Sequence, residues 1–491
     1  MAYAVASLAF AGLLLAFLWN RTVNHDAAWY LISTRKWLDG FRLYVDLYDV
    51  NPPLATYLTA PAIWFADAFG ISDTNGFYSL FALLTGVSLF LCALILDTRL
   101  DLARGQRVLA FLGLGAVLTT AFISEFGQRE QLMVLFVMPW FLSQIPAKTG
   151  EPPHTARRIL LAITAAVGIC IKPYFLTLPL AVTAWRMLRT RSFRPLVSLD
   201  ILVMFAIGAA YVAATALLHP AFLSDVVPTA RKVYMSFGFS DRVAASRLML
   251  GTIAYLPFFT LLAMNRRASA LPGAIIAGVA GGLLCYLLQW KGLDYHLTPL
   301  LTFANLAVLW VLLQSPRGTP LYLCAAATAA TVLLIAAHKG TYDFRARPYI
   351  EAAMGDAPRP RTLFAATTSV DAGPLLALEL GADWAGRYPA TWTLSGALAG
   401  LAATDCAADP ETCAGFRAIV ERTRSADLDD ITRFRPDMIL IDKRNLFIAD
   451  EGFSWYGFLA GDPRWPATIA SYRRAGSTVF FDVWTLKSPE N

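Results

Sequence analysis

Long apolar runs separated by short polar connections dominate the first two thirds of the chain. A run of about 17 to 25 residues with few charges is long enough to cross the hydrocarbon core of a bilayer as a helix. Eleven such spans are expected, near 2–19, 76–96, 108–124, 131–146, 158–171, 174–188, 197–218, 248–264, 271–289, 298–314 and 319–338. The first has the length of a signal peptide. It carries no Lys or Arg before Arg21 and no convincing small-residue cleavage site, so it counts as a span. From about Lys339 the pattern changes to mixed polar sequence in which MILID (438–442) and STVFFDVWTL (477–486) have the character of strands. The expectation is a polytopic α-helical membrane protein: a membrane region over 1–338, with a long first outer loop at 20–75, and a water-soluble α/β domain over 339–491.

Composition sharpens this. The chain is 57% hydrophobic and 15% charged with mean hydropathy +0.51, whereas soluble domains carry about 25% charge, so an ordinary soluble enzyme is excluded. A net charge of +6 raises the question of nucleic acid, but the basic residues lie in short clusters between apolar runs, and no nucleic-acid partner is expected. Arg99, Arg104 and Arg107; Lys148, Arg157 and Arg158; Arg186, Arg189, Arg191 and Arg194; Arg266 and Arg267; and Arg317 fall in alternate connections. The positive-inside rule makes those connections cytoplasmic. The odd number of spans then places the C-terminal domain on the outer side of the membrane. Cys92, Cys170, Cys285 and Cys324 lie in apolar stretches, where they act as small hydrophobes. Cys406 and Cys413, in the polar segment DCAADPETC, are either two surface thiols or a loop-closing disulfide, which would suit an oxidising compartment.

The unusual polar residues collect in the connections on that outer side. Asp26 stands just beyond the first span beside His25, Trp29 and Tyr30. A carboxylate at a membrane boundary among aromatic groups suits a general base, and equally a solvated helix cap. Asp46, Asp49 and Asn51-Pro52-Pro53 imply a structured loop, with Asp49 either supporting it or lining a substrate. Lys172-Pro173 divides the apolar run from Ile159 to Trp185, so the lysine sits at a turn next to Tyr174, either in a site or snorkelling to the interface. Lys291, Asp294, Tyr295 and His296 share the turn WKGLDYH, and Arg129 lies between Glu125 and Glu130 in EFGQRE. Charges near hydrocarbon are costly and usually line a cavity. Three cationic turns on one side therefore point to a phosphate or pyrophosphate group more than to a structural salt-bridge network. There is no P-loop, HExxH, zinc-type Cys/His spacing or GxSxG elbow. A single divalent ion on Asp26 and another outer carboxylate remains open.

Together these features resemble the GT-C superfamily of membrane glycosyltransferases, nearest to the branch containing the aminoarabinose transferases of lipid A and the protein O-mannosyltransferases. Four features carry the resemblance: Asp26 just after the first span; a long loop through Gly40, Leu43-Tyr44 and Asp46 to NPPL (51–54), where relatives often have HPPL; a many-span bundle; and an outer C-terminal domain. The resemblance implies an inverting transfer of a sugar from a polyprenyl-phosphate donor to a glycolipid, glycan or protein acceptor. Asp26 would be the catalytic base. Lys172, Lys291, His296 and Arg129 are candidates for the donor phosphate on side and charge alone, with Glu125 or Glu130 orienting Arg129. His25-Asp26-Ala27 departs from the adjacent acidic pair of many relatives, which puts a paired-carboxylate metal site in doubt. The rival readings are a flippase or transporter, which predicts polar residues deep in the spans, a polysaccharide polymerase or ligase, and a non-catalytic scaffold. Trp384, Tyr388 and Trp392 suit either sugar stacking or a core.

Overall fold

The computed structural model describes every residue except 149–153, 235–237, 265–270, 345–346, 356–357, 449, 451 and 488–491, so Arg266 and Arg267 lie outside the described residues. The chain divides into two compact units, each assembled from separated stretches.

The first unit, Met1–Arg21, Pro61–Ala214 and Ser240–Tyr342, is helical. Among the described residues, five of its helical stretches are long and apolar enough to cross a membrane: Asp73–Asp97, Leu199–Leu218, Asp241–Met264, Asp294–Gln314 and Pro320–Lys339. Other expected spans are shorter as helices. Arg129–Ser143, Thr155–Cys170 and Thr177–Thr190 hold 15, 16 and 14 residues, fewer than the ~20 of an upright crossing. Sequence explains one of these breaks: Pro173 disfavours helical backbone at Lys172, which is extended at φ −143° and ψ 139°. The run expected over 108–124 is helical only as Arg104–Thr119 and then tightens into a 3-10 turn, Thr120–Glu125.

Small residues set the centre of this bundle. Gly278 and Gly282 lie one turn apart on helix Gly273–Gln289, which packs on Thr298–Gln314 and Thr177–Thr190. A Cβ at Gly282 would meet the Leu300 backbone at 2.6 Å, and one at Gly278 would meet the rings of Phe141 and Phe303 at 2.7 Å. This is the small-xxx-small spacing that lets membrane helices approach closely. Two of the basic residues expected as loop anchors, Arg158 and Arg186, share one buried carboxylate. Asp200, 4% exposed, accepts from Arg186 Nη1 at 3.1 Å and Trp140 Nε1 at 3.2 Å, with Arg158 at 3.9 Å.

The second unit comprises Thr22–Ala60, Thr215–Phe239 and Asp343–Asn491. Its sheet contains β1 (Thr362–Ala366), β2 (Asp383–Trp384), β3 (Met438–Asp442), β4 (Tyr472–Ser477) and β5 (Phe481–Leu486) in the order β2-β1-β3-β5-β4. Strands β2, β1 and β3 are parallel, and β5 is antiparallel to both β3 and β4. Every residue of β3 is buried, as expected of a central strand covered on both faces, while β5 alternates along its length. Helix Pro410–Phe434 packs on Trp392–Ala403, and Cys406 is bridged to Cys413 with the Cα atoms 5.6 Å apart. The first-loop stretch folds with the tail: Tyr48 N donates to Arg387 O at 2.8 Å, and the Tyr48 ring meets Tyr388 and Trp392. Trp384, Tyr388 and Trp392 are buried core residues.

Candidate functional site

Three turns of the helical unit bring ionisable groups inside it. At the first, Gly127 has φ +93° and a Cβ there would meet the Phe77 ring at 2.3 Å, so the close turn needs glycine. It delivers Gln128, Arg129 and Glu130 to the start of helix Arg129–Ser143, all buried. The second is the proline-extended Lys172. Its Nζ donates to Glu130 Oε1 at 2.6 Å and lies 5.3 Å over the Tyr295 ring. At 6% exposure Lys172 does not snorkel. The third turn leaves helix Gly273–Gln289 through Trp290 (φ +40°) and Gly292 (φ +67°), then closes as the short helix Asp294–Leu297. Lys291, Tyr295 and His296 on it are 4%, 8% and 3% exposed.

The electrostatics are lopsided. The charges of Lys172, Arg129 and Lys291 all reach His296, and Glu130 is the carboxylate that pairs with Lys172. Burial, reinforced by the Lys172 ammonium, pushes Lys291 down to about 7. Gln128 Oε1 and Nε2, Glu130 Oε2 and His296 Nδ1 are buried with no hydrogen-bond partner among the described residues. Buried polar atoms are nearly always satisfied by protein, water or ligand; of these four, Gln128 Nε2 can donate to an anion, as can His296 Nδ1 in the tautomer that carries its proton, whereas Gln128 Oε1 and Glu130 Oε2 can only accept. Glu130, expected to orient Arg129, is engaged with Lys172.

Beside the cluster lies a cavity of about 340 Å³ walled by Leu250, Leu297, Leu301, Val332 and Ile335, with Glu125 and Tyr295 in its lining. Its polar lining is an ion group: Arg247 Nη1 reaches both Asp294 oxygens at 2.6 Å, with Lys339 Nζ at 3.9 Å. Tyr295 belongs to both features, one face towards Lys172 and its side chain in the cavity wall. Tyr174 is half-buried in the short helix Pro173–Leu176, where its carbonyl accepts from Thr177 Oγ1.

In the second unit, helix His25–Leu38 is capped by Asn24, whose side chain accepts from Ala27 N at 3.0 Å. The cap role open to Asp26 is thus taken by Asn24. Asp26 lies in the first turn, its side chain 16% exposed, with His25 Nε2 3.7 Å from its Oδ1. On the other ring nitrogen, His25 Nδ1 is 3.6 Å from Asp371 Oδ1. Asp49 Oδ2 accepts from Trp29 Nε1 at 2.8 Å, and Oδ1 accepts from Asn51 N and Nδ2 at 2.9 and 2.7 Å. Tyr44 OH donates to Asn51 O at 2.8 Å, so Asp49 organises the NPPL loop. Among the described residues no group of three or more His, Cys, Asp or Glu side chains is placed to share a metal ion.

This fold is shared with a solved structure, ArnT. The structure of ArnT from Cupriavidus metallidurans bound to undecaprenyl phosphate superposes with a TM-score of 0.57 at 13% identity, over 100% of this chain and 99% of that one. Its apo state gives the same figures. The archaeal oligosaccharyltransferase AglB from Archaeoglobus fulgidus, in complex with an inhibitory peptide and a dolichol-phosphate, matches at a TM-score of 0.42 and 12% identity, over 97% of this chain and 74% of that one. No protein-family model matches the chain, and no curated protein does.

Proposed function

We propose that the protein is an inverting glycosyltransferase that moves a sugar from a polyprenyl-phosphate donor to a hydroxyl or amine of a glycolipid, glycan or protein at the periplasmic face of a bacterial inner membrane. The observation that carries this reading is the buried cluster of Arg129, Lys172, Lys291 and His296 sharing Tyr295 with a largely apolar cavity. An anionic head on a long hydrocarbon tail is the chemistry those two features fit. The fold shared with ArnT supports it.

In the reaction the Asp26 carboxylate takes the proton of the acceptor O–H or N–H. The freed lone pair attacks the anomeric carbon, and the bond from that carbon to the phosphate oxygen breaks with inversion. The lipid phosphate leaves with an additional negative charge, and Arg129, Lys172 and Lys291 are the groups proposed to stabilise it, each such contact contributing roughly 3–4 kcal/mol. No step is assigned to a metal. The test is purified protein with a panel of undecaprenyl-phosphate sugars and candidate acceptor lipids and peptides, followed by mass spectrometry. Consumption of a donor with sugar appearing on an acceptor supports transfer. Donor that crosses proteoliposome membranes intact, with no bond broken, contradicts it in favour of a flippase.

A further inference from the structure

We propose that Asp371 is a positioning residue for transfer, acting on Asp26 through His25. The inference rests on the transfer reading, with Asp26 as the base. One imidazole stands between two carboxylates from distant parts of the sequence: Nε2 is 3.7 Å from Asp26 Oδ1, and Nδ1 is 3.6 Å from Asp371 Oδ1. Each ring nitrogen therefore has its own acidic neighbour. A base oriented by a histidine that is itself oriented by a second carboxylate follows the general logic of catalytic triads.

Both ends of this string are held. Asn24 caps the helix that carries His25 and Asp26. Asp371 follows the C-terminal end of β1, the end at which ligand-facing loops gather in open parallel sheets. The loop is pinned: Thr367 Oγ1 donates to Asp442 Oδ2 at 2.6 Å and accepts from Ser369 N at 2.9 Å, and Thr391 N donates to Thr367 O at 3.1 Å. Ala372, Gly373, Pro374 and Leu375 are buried, and a Cβ at Gly373 would meet the Trp384 ring at 2.9 Å. The backbone on both sides of Asp371 is thus held, while its side chain, 40% exposed, faces His25.

Asp371 lies on the Nδ1 side of the ring, which leaves the Nε2 side to Asp26. Held between the two carboxylates, the His25 ring fixes where the Asp26 carboxylate lies relative to the acceptor. Both spacings are ion-pair distances, and such contacts commonly tighten in the reacting complex.

The test uses full-length protein in nanodiscs and the undecaprenyl-phosphate sugar that the wild type consumes. Asp371→Asn and His25→Gln are each expected to lower kcat about 10- to 100-fold, short of the ~10²–10⁴-fold expected on losing the base itself. The KM for donor and the melting temperature stay near wild type. Asp371→Glu restores most of kcat, and the Asp371→Asn/His25→Gln double variant is no slower than His25→Gln alone, because the two act in series. Asp371→Asn with wild-type kcat, while Asp26→Asn is inactive, overturns this inference and leaves the base assignment standing. A loss of activity that follows a fall in melting temperature and is not rescued by glutamate also overturns it. An active Asp26→Asn variant removes the base assignment and this inference with it, while no donor consumed by the wild type removes the transfer reading as well.

Discussion

Lys291 couples donor binding to pH. A lysine holds its proton to about 10.4 in an unfolded chain, whereas burial and Lys172 bring Lys291 to about 7. Between those values the unfolded state binds more protons, so this residue makes folding stability rise with pH across that window. Donor binding has the opposite sign, because an anionic phosphate draws the proton back onto Lys291. Affinity for undecaprenyl phosphate is expected to be highest below pH 7 and to fall as pH rises through 7 to 9. Lys291→Met should bind about tenfold or more weakly at pH 6.5 and lose most of that slope, as read by titration at the two ends of the range. Lys172 behaves differently, because its loss leaves Glu130 buried without its cation. That loss costs about 3–5 kcal/mol. Lys172→Met should melt well below the wild type, and Lys172→Met/Glu130→Gln should recover much of the melting temperature without recovering donor affinity. The lysines were legible because a charge inside an apolar run stands out. The Lys172–Glu130 pairing was not, since only helix packing brings positions 130 and 172 together. Gln128, an uncharged amide beside Arg129, gave no comparable signal.

Helix Gly273–Gln289 governs how the third cationic turn is placed, because its glycines let the Leu300 backbone approach. Adding one methyl at Gly282 forces that contact apart, which typically costs 1–3 kcal/mol. Gly282→Ala is expected to lower the melting temperature in detergent and weaken donor binding through the displaced Tyr295–His296 turn. Gly12→Ala, where a Cβ meets nothing, is expected to change neither. At this scale β3 was readable with its bounds from MILID (438–442), whereas the run expected as one strand over 477–486 holds only β5 (Phe481–Leu486), because Ser477 ends β4 and the chain turns between the two. Three strands escaped: β1 is five residues long, β2 is two, and β4 (YRRAGS) is largely polar at the sheet edge. The helix at 155–170 and the turn at Lys172-Pro173 followed from charge and proline. The early end of the 108–124 run at Thr119 did not, because nothing in its composition marks the change to a tighter turn.

Across the whole chain, hydropathy separates membrane sequence from the α/β tail, but it does not reveal that Thr22–Ala60 and Thr215–Phe239 fold with that tail. Contacts such as Tyr48–Arg387 and Arg422–Asp225 (2.7 Å) join residues hundreds of positions apart, and no local pattern encodes them. The same is true of His25 and Asp371. If polyprenyl phosphate is the natural ligand, undecaprenyl phosphate at ~100 times its Kd should stabilise the purified protein by about 2.7 kcal/mol. Undecaprenol, which lacks the anion, should shift the melting temperature far less. The central claim, base-assisted transfer by Asp26, is tested most directly by a single-turnover measurement of donor cleavage and sugar transfer by wild type and Asp26→Asn, with undecaprenyl phosphate binding measured on the same samples. The account predicts that both bind the lipid phosphate with similar affinity and that only the wild type transfers sugar, the variant being slower by about 10²-fold or more. Equal transfer rates in the two proteins would contradict it.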